Sequence, residues 1–164
     1  MTRATVAFVG RHNSGKTTFL QAVLPHLVRR GLRVGYLKHA HVGFEVDQPG
    51  KDSYRMRRTG VLQTIIVGGG QVALIDDADA EPGLEETISR YVRADLDVLV
   101  VEGFKRSPLR KIEIARAALS RELLCAADAD LVAVVSDFDP PAGIRHYVLG
   151  DAPGVAELIA SFVA

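Results

Sequence analysis

The chain has 164 residues, enough for one domain with a real core, and 48% of them are hydrophobic, which excludes disorder. Twenty basic and twenty acidic residues cancel, so no global field argues for nucleic acid or an anionic membrane as a partner. The single cysteine, Cys125, has no internal disulfide partner and sits in an apolar stretch, as a buried thiol in a reducing cytosol would. No signal peptide precedes the first apolar segment, and no apolar run approaches the ~20 residues of a membrane span. The expectation is a cytoplasmic protein forming one domain over 1–164, without repeats or linkers.

The first segment, Ala4 to Val9, is short, apolar and β-branched, and predicts a buried strand. It runs into Gly10-Arg11-His12-Asn13-Ser14-Gly15-Lys16-Thr17-Thr18, which reads G-x-x-x-x-G-K-T, the phosphate-loop pattern. Phe19, Leu20, Val23, Leu24, Leu27 and Val28 follow at helical spacing. Strand before and helix after are the context this motif requires.

The residue types fit the chemistry. Polyphosphate needs many N–H donors on a concave surface, and Gly10 and Gly15 permit the backbone angles and close approach of such a nest. A helix starting near Lys16 aims its positive end at the phosphates. Lys16 can reach β- and γ-phosphate oxygens, and the Thr17 hydroxyl can be one of about six oxygens around Mg²⁺. The predicted nucleotide contacts are therefore Gly10, Asn13, Ser14, Gly15, Lys16, Thr17 and Thr18.

Pro25 falls inside the helical pattern and should kink it, and Gly31 closes it. Residues 33–39 read as the second strand, parallel to the first across a right-handed crossover. Residues 40–50 read as loop. Lys51 to Thr59 reads as a short helix ended by Gly60, with Lys51, Arg55 and Arg58 along one stripe. Leu62 to Val67 and Gln71 to Ile75, joined by three glycines, read as a hairpin. Leu84, Ile88, Tyr91 and Val92 mark an amphipathic helix.

Residues 97–103 read as a buried strand with an acidic end, 111–116 as a half-exposed strand and Leu131 to Val135 as a buried one. Val155, Leu158, Ile159, Phe162 and Val163 form the stripe of a closing helix. The predicted fold class is α/β, a P-loop NTPase-like, mostly parallel sheet with helices on both faces and an inserted β-hairpin.

Ligands of such sheets bind outside the carboxyl ends of the strands. Asp97 opens its strand and Glu102 ends it, about 17 Å away at 3.3 Å per residue. Only Glu102 can share an edge with Lys16. Glu102 is thus expected to complete the Mg²⁺ shell with Thr17 or to orient the attacking water, so Lys16 and Glu102 are the predicted catalytic pair. Asp97 is expected to cap the opposite edge.

His39 and His41 are two apart on an extended chain, near Glu45 and Asp47, which leaves metal binding and a polar binding-loop role both open. Asp137 follows the 131–135 strand where guanine readers place an Asp, with Phe138 able to pack on the base. A turn Asp before Asp139-Pro140-Pro141 is the other reading.

Five stretches together resemble the molybdopterin-guanine dinucleotide biosynthesis protein B family. They are Gly10 to Thr18, Leu37-Lys38-His39-Ala40-His41, the run from Asp47 through Pro49-Gly50-Lys51-Asp52-Ser53 to Arg55, Val101-Glu102-Gly103-Phe104-Lys105, and Lys111-Ile112-Glu113. They stand in the family's order and cover most of the chain. The resemblance implies a GTP-binding, weakly GTP-hydrolysing homodimer in molybdenum cofactor maturation. It also implies a guanylyltransferase partner, with molybdopterin as a further candidate ligand.

By position the resemblance carries GTP and Mg²⁺ roles to Gly10, Gly15, Lys16, Thr17 and Glu102, and a functional surface to residues 47–55. Val42, Gly43 and Glu45 depart from the histidine- and aspartate-rich pattern of many members, which weakens an inherited metal site. If Asp52 and Ser53 begin the short helix, their side chains are expected to cap it. Two alternatives stay beside the adaptor GTPase. One is a small-molecule kinase closing Lys105 to Arg110 as a lid, and the other a metallochaperone GTPase using His39 and His41.

Overall fold

The structure is a computed structural model that describes residues 3–40 and 43–163. Its elements in chain order are β1 (Ala4–Val9), α1 (Lys16–Arg29), β2 (Val34–Lys38), α2 (Asp52–Arg57), β3 (Gln63–Gly68) and β4 (Gln71–Asp76). Then come α3 (Leu84–Tyr91), β5 (Val98–Glu102), β6 (Arg110–Ala115), β7 (Leu131–Ser136), β8 (His146–Val148) and α4 (Ala152–Ala160). They divide into two compact units, one built from the chain through His39 and from Tyr91 onward, the other from Ala40–Arg90.

The first unit is a six-stranded parallel sheet in the order β2-β5-β1-β6-β7-β8. The fold is the P-loop NTPase-like α/β class expected from the sequence. β1 lies inside the sheet, with β5 on one side and β6 on the other. Alternation along each strand sends side chains to two faces. Val6 and Phe8 of β1, Val98 and Val100 of β5, and Ile112 and Ile114 of β6 pack in one core with α1 and α4. Each such side chain contributes about 1.5–3 kcal/mol by leaving water. On the other face, Ala115 and Val134 pack with Leu123 and Phe138.

That second face corrects two expectations. β6 is not half-exposed: Lys111 and Glu113 are both 1% exposed. The strand lies between β1 and β7, and the irregular chain of 117–130 supplies partners for its charges. Lys111 Nζ lies 2.9 Å from Asp128 Oδ2, and the Glu113 carboxylate accepts from Leu124 N at 2.7 Å and Cys125 N at 2.9 Å. Buried charge survives there because it is paired and hydrogen-bonded. Phe138 also belongs to this cluster, 7% exposed, so its ring is core and does not face outward to a base.

Pro25 lies within α1, which continues past it to Arg29. The strand β8 escaped the sequence reading because three residues carry no usable period. α4 begins at Ala152, earlier than its apolar stripe, because Asp151 caps it by accepting from Gly154 N at 2.9 Å.

In the second unit β3 and β4 form the expected antiparallel hairpin. Gly68 pairs with Gln71, leaving Gly69 and Gly70 as a two-residue turn with φ of 57° and 76°, the doubly positive pattern of a type I′ turn. α2 is shorter than expected, and neither Asp52 nor Ser53 caps it. Lys51 is the N-cap, with no side-chain cap bond. The Ser53 hydroxyl instead donates to Asp47 Oδ1 at 3.1 Å. Ile75 is the one buried side chain among the described residues of this unit.

Candidate functional site

β1 ends at Val9 and the chain turns through 10–15 into α1, so the loop sits at the carboxyl edge of an interior strand. Gly10 has φ of 149°, and a Cβ there would lie 2.3 Å from the Ile114 carbonyl oxygen. Only glycine lets β1 end this close to β6. Asn13, at φ of 61°, and Gly15, at φ of 91°, complete the turn into the helix. Gly15 is the N-cap of α1 in the left-handed region. Lys16 folds its ammonium over the loop and donates to the carbonyls of Gly10 at 3.0 Å and Arg11 at 2.8 Å. Burial lowers its pKa, attraction to Glu102 opposes that shift, and repulsion from Lys38 adds to it.

The structure brings Glu102 to this edge, as the strand-end argument required. Val98, Val100 and Glu102 share the face of β5 that packs on α1, so the carboxylate meets the first turn of that helix. Thr17 Oγ1 donates to Glu102 Oε1 at 3.2 Å, and Tyr36 donates its hydroxyl to Oε2 at 2.5 Å. Lys38 Nζ stands 3.9 Å from Oε1. Glu102 is 7% exposed. Burial first, and then the bond to Glu102, raises the Tyr36 phenol well above its ordinary pKa. A hydroxyl and a carboxylate oxygen side by side, near an ammonium and a helix N-terminus, form a donor set suited to a hard divalent ion bridging to phosphate.

The glycine cradle and this oxygen pair fit nucleotide phosphate with Mg²⁺. The Ser14 hydroxyl oxygen is buried in the loop without a hydrogen-bond partner. Thr17 and Thr18 are exposed on the first turn of α1.

The other expected residues part company with this cluster. Asp97 sits at the far end of β5, where it accepts from Arg33 N at 2.8 Å and Arg33 Nη2 at 2.7 Å, and its pKa falls to about 2. Asp137 is exposed, and its Oδ1 accepts from Ala117 N at 2.7 Å, tying the loop after β7 to the loop after β6. Arg11 pairs with Glu122 at 3.6 Å. Arg110 lies over the Phe162 ring at 4.7 Å, so the far end of the Lys105 to Arg110 stretch is anchored to the C-terminal segment. The His39 ring stacks on Phe104 at 4.5 Å between centroids. His41 lies outside the described residues. Among the described residues no three His, Cys, Asp or Glu side chains gather as a metal centre.

Two residues at the edge were missed. Arg116 Nε donates to the Ser14 carbonyl at 3.0 Å, and its guanidinium fills the space a Cβ on Gly15 would need. It holds the peptide that leads into α1. Tyr36 was the other. The carboxyl-edge rule that selected Glu102 also points at Arg116, which directly follows β6. The two-residue period places Tyr36 on the same face of β2 as Lys38.

A family model, Molybdopterin guanine dinucleotide synthesis protein B, matches residues 5–137. The molybdopterin-guanine dinucleotide biosynthesis adapter protein of Escherichia coli K12 is 34% identical over 161 residues, 96% of this chain and 92% of that protein. The crystal structure of Bacillus subtilis MobB superposes with a TM-score of 0.77 at 28% identity, covering 98% of each chain. A crystal structure of molybdopterin-guanine biosynthesis protein B gives 0.74 at 25% identity, over 97% of this chain and 98% of the other. Matched by the family model over residues 5–137 and 34% identical to the Escherichia coli protein across nearly its full length, this chain belongs to the MobB family.

Proposed function

We propose that this chain is a GTP-binding, weakly GTP-hydrolysing adapter in molybdopterin guanine dinucleotide biosynthesis. It is one nucleotide-binding domain that works in the cytoplasm as a homodimer beside a guanylyltransferase. The observation that carries the nucleotide part is the convergence of Lys16, Thr17 and Glu102 where β1 passes into α1. Membership of the family, and the name of the Escherichia coli relative, support the adapter role.

In this reading the loop N–H groups and the α1 N-terminus hold the phosphates, and Lys16 exchanges its two loop carbonyls for phosphate oxygens. Thr17 and Glu102 would hold Mg²⁺, which would neutralise charge on the phosphates. The alternative role for Glu102 is to orient the attacking water. Among the described residues, the two arginines beside the loop are already engaged: Arg11 is paired with Glu122 and Arg116 with the loop backbone. That accords with slow turnover, since an arginine charge supplied at the γ-phosphate accelerates hydrolysis strongly. Asp137 enters as the guanine-side residue, with its Oδ1 accepting from Ala117 N.

The test is calorimetric titration with GTP and ATP, with and without Mg²⁺. GTP should bind more tightly than ATP, and Lys16→Ala should weaken GTP about a hundredfold with an unchanged melting temperature. Unchanged GTP affinity in that variant refutes the phosphate assignment. Asp137→Asn should weaken GTP and spare ATP; parallel loss of both removes its base-reading role.

A further inference from the structure

The Glu102 carboxylate is held asymmetrically. Its Oε2 receives the Tyr36 hydroxyl at 2.5 Å, the short distance of a charge-assisted O–H···O⁻ bond. Its Oε1 receives the weaker 3.2 Å bond from Thr17. Lys38 lies 3.9 Å away with its side chain 51% exposed, beyond hydrogen-bond reach and screened by water. Of the three neighbours, Tyr36 alone has the distance to fix the plane of the carboxylate. That plane is otherwise soft, because the terminal torsion of glutamate is broad.

The fold delivers the contact. Val34 packs toward the α1 core, so Tyr36 and Lys38, two and four residues on, lie on the same face of β2. Tyr36 pairs in register with Val100, two residues short of Glu102 on the adjacent strand, and the phenol spans that diagonal. Diagonal neighbours are within reach of an aromatic side chain.

We propose that Tyr36 is a positioning residue for the divalent-ion end of the site. Its hydroxyl clamps Glu102 through Oε2, so that Oε1 stays beside the Thr17 hydroxyl as a preformed pair of oxygen ligands. The inference rests on the reading of Thr17 and Glu102 as the metal side of the nucleotide site. It adds a residue that touches neither nucleotide nor metal and acts by preorganisation.

The probe is Mn²⁺, followed by electron paramagnetic resonance with a saturating non-hydrolysable GTP analogue. Tyr36→Phe keeps the ring and removes the hydroxyl. It should raise the half-saturating Mn²⁺ concentration about tenfold. Affinity for the analogue without metal and the melting temperature should not change. Tyr36→Leu, which removes the ring as well, should give the same shift in Mn²⁺. Glu102→Gln should weaken Mn²⁺ at least as much.

Unchanged Mn²⁺ binding in Tyr36→Phe, with the Glu102→Gln effect present, overturns the clamp and leaves the site reading standing. Equal weakening of metal-free nucleotide binding in Tyr36→Phe also overturns it, since that marks a packing role. Unchanged Mn²⁺ binding in Glu102→Gln removes the metal assignment and the clamp together.

Discussion

β5 and β3 are both short strands rich in β-branched residues, Val98–Glu102 and Gln63–Gly68. All five residues of β5 are buried, whereas five of the six in β3 are exposed, with Val67 at 75%. β5 has a parallel partner on each side and an α1–α4 layer on one face. β3 has one partner, β4, and is held by ladder bonds and a two-glycine turn. Apolar strand composition therefore reports pleated geometry and not depth; depth follows from how many layers the topology places around a strand. The candidate site lies in the first unit, where a buried Glu102 can be held to within a hydrogen-bond length.

Substitutions can break or sharpen this contrast. The largest effect is expected for Gly10→Ala, which sets a Cβ 2.3 Å from a backbone oxygen at positive φ. It should cost at least about 3 kcal/mol in urea unfolding or prevent folding. Gly70→Ala in the hairpin turn also meets positive φ but no atom within 4 Å, and should cost only about 1 kcal/mol. If the two cost the same, close approach at the loop is not what demands glycine.

Next is Glu113→Ala, which strips the partners from Leu124 N and Cys125 N and should cost about 3 kcal/mol. Val100→Ala should lose about 2 kcal/mol and Val67→Ala less than about 0.5. Equal losses would show that β3 is covered in solution.

The smallest effect belongs to Asp97, whose folded pKa is depressed to about 2 by Arg33. Its contribution is present above the ordinary carboxylate pKa near 4 and is lost as pH falls through about 2. Asp97→Asn should flatten that part of the stability profile, read by thermal melts between pH 5 and 2; an unchanged slope removes Asp97 from it.

The local signals were legible. The G-x-x-x-x-G-K-T spacing placed the loop, strand length placed Glu102 on its edge, and the three glycines placed the hairpin. What was not legible depends on contacts far apart in sequence. The alternation of Lys111, Ile112 and Glu113 looks half-solvated because nothing local says that residues 117–130 return to cover it. Phe138 suggested a face for a base, but it fills the core beside Leu123. Tyr36 and Arg116 became visible once strand order set β2 beside β5 and β6 beside β1.

The lone thiol offers a clock for that returning segment. Cys125 is 6% exposed, its N–H is bound to Glu113, and burial pushes its pKa upward, so the reactive thiolate is scarce and shielded. A disulfide reagent reaches the sulfur when residues 117–130 lift from β6. The labelling half-time thus times excursions of the strap that follows Arg116, whose guanidinium holds the Ser14 carbonyl.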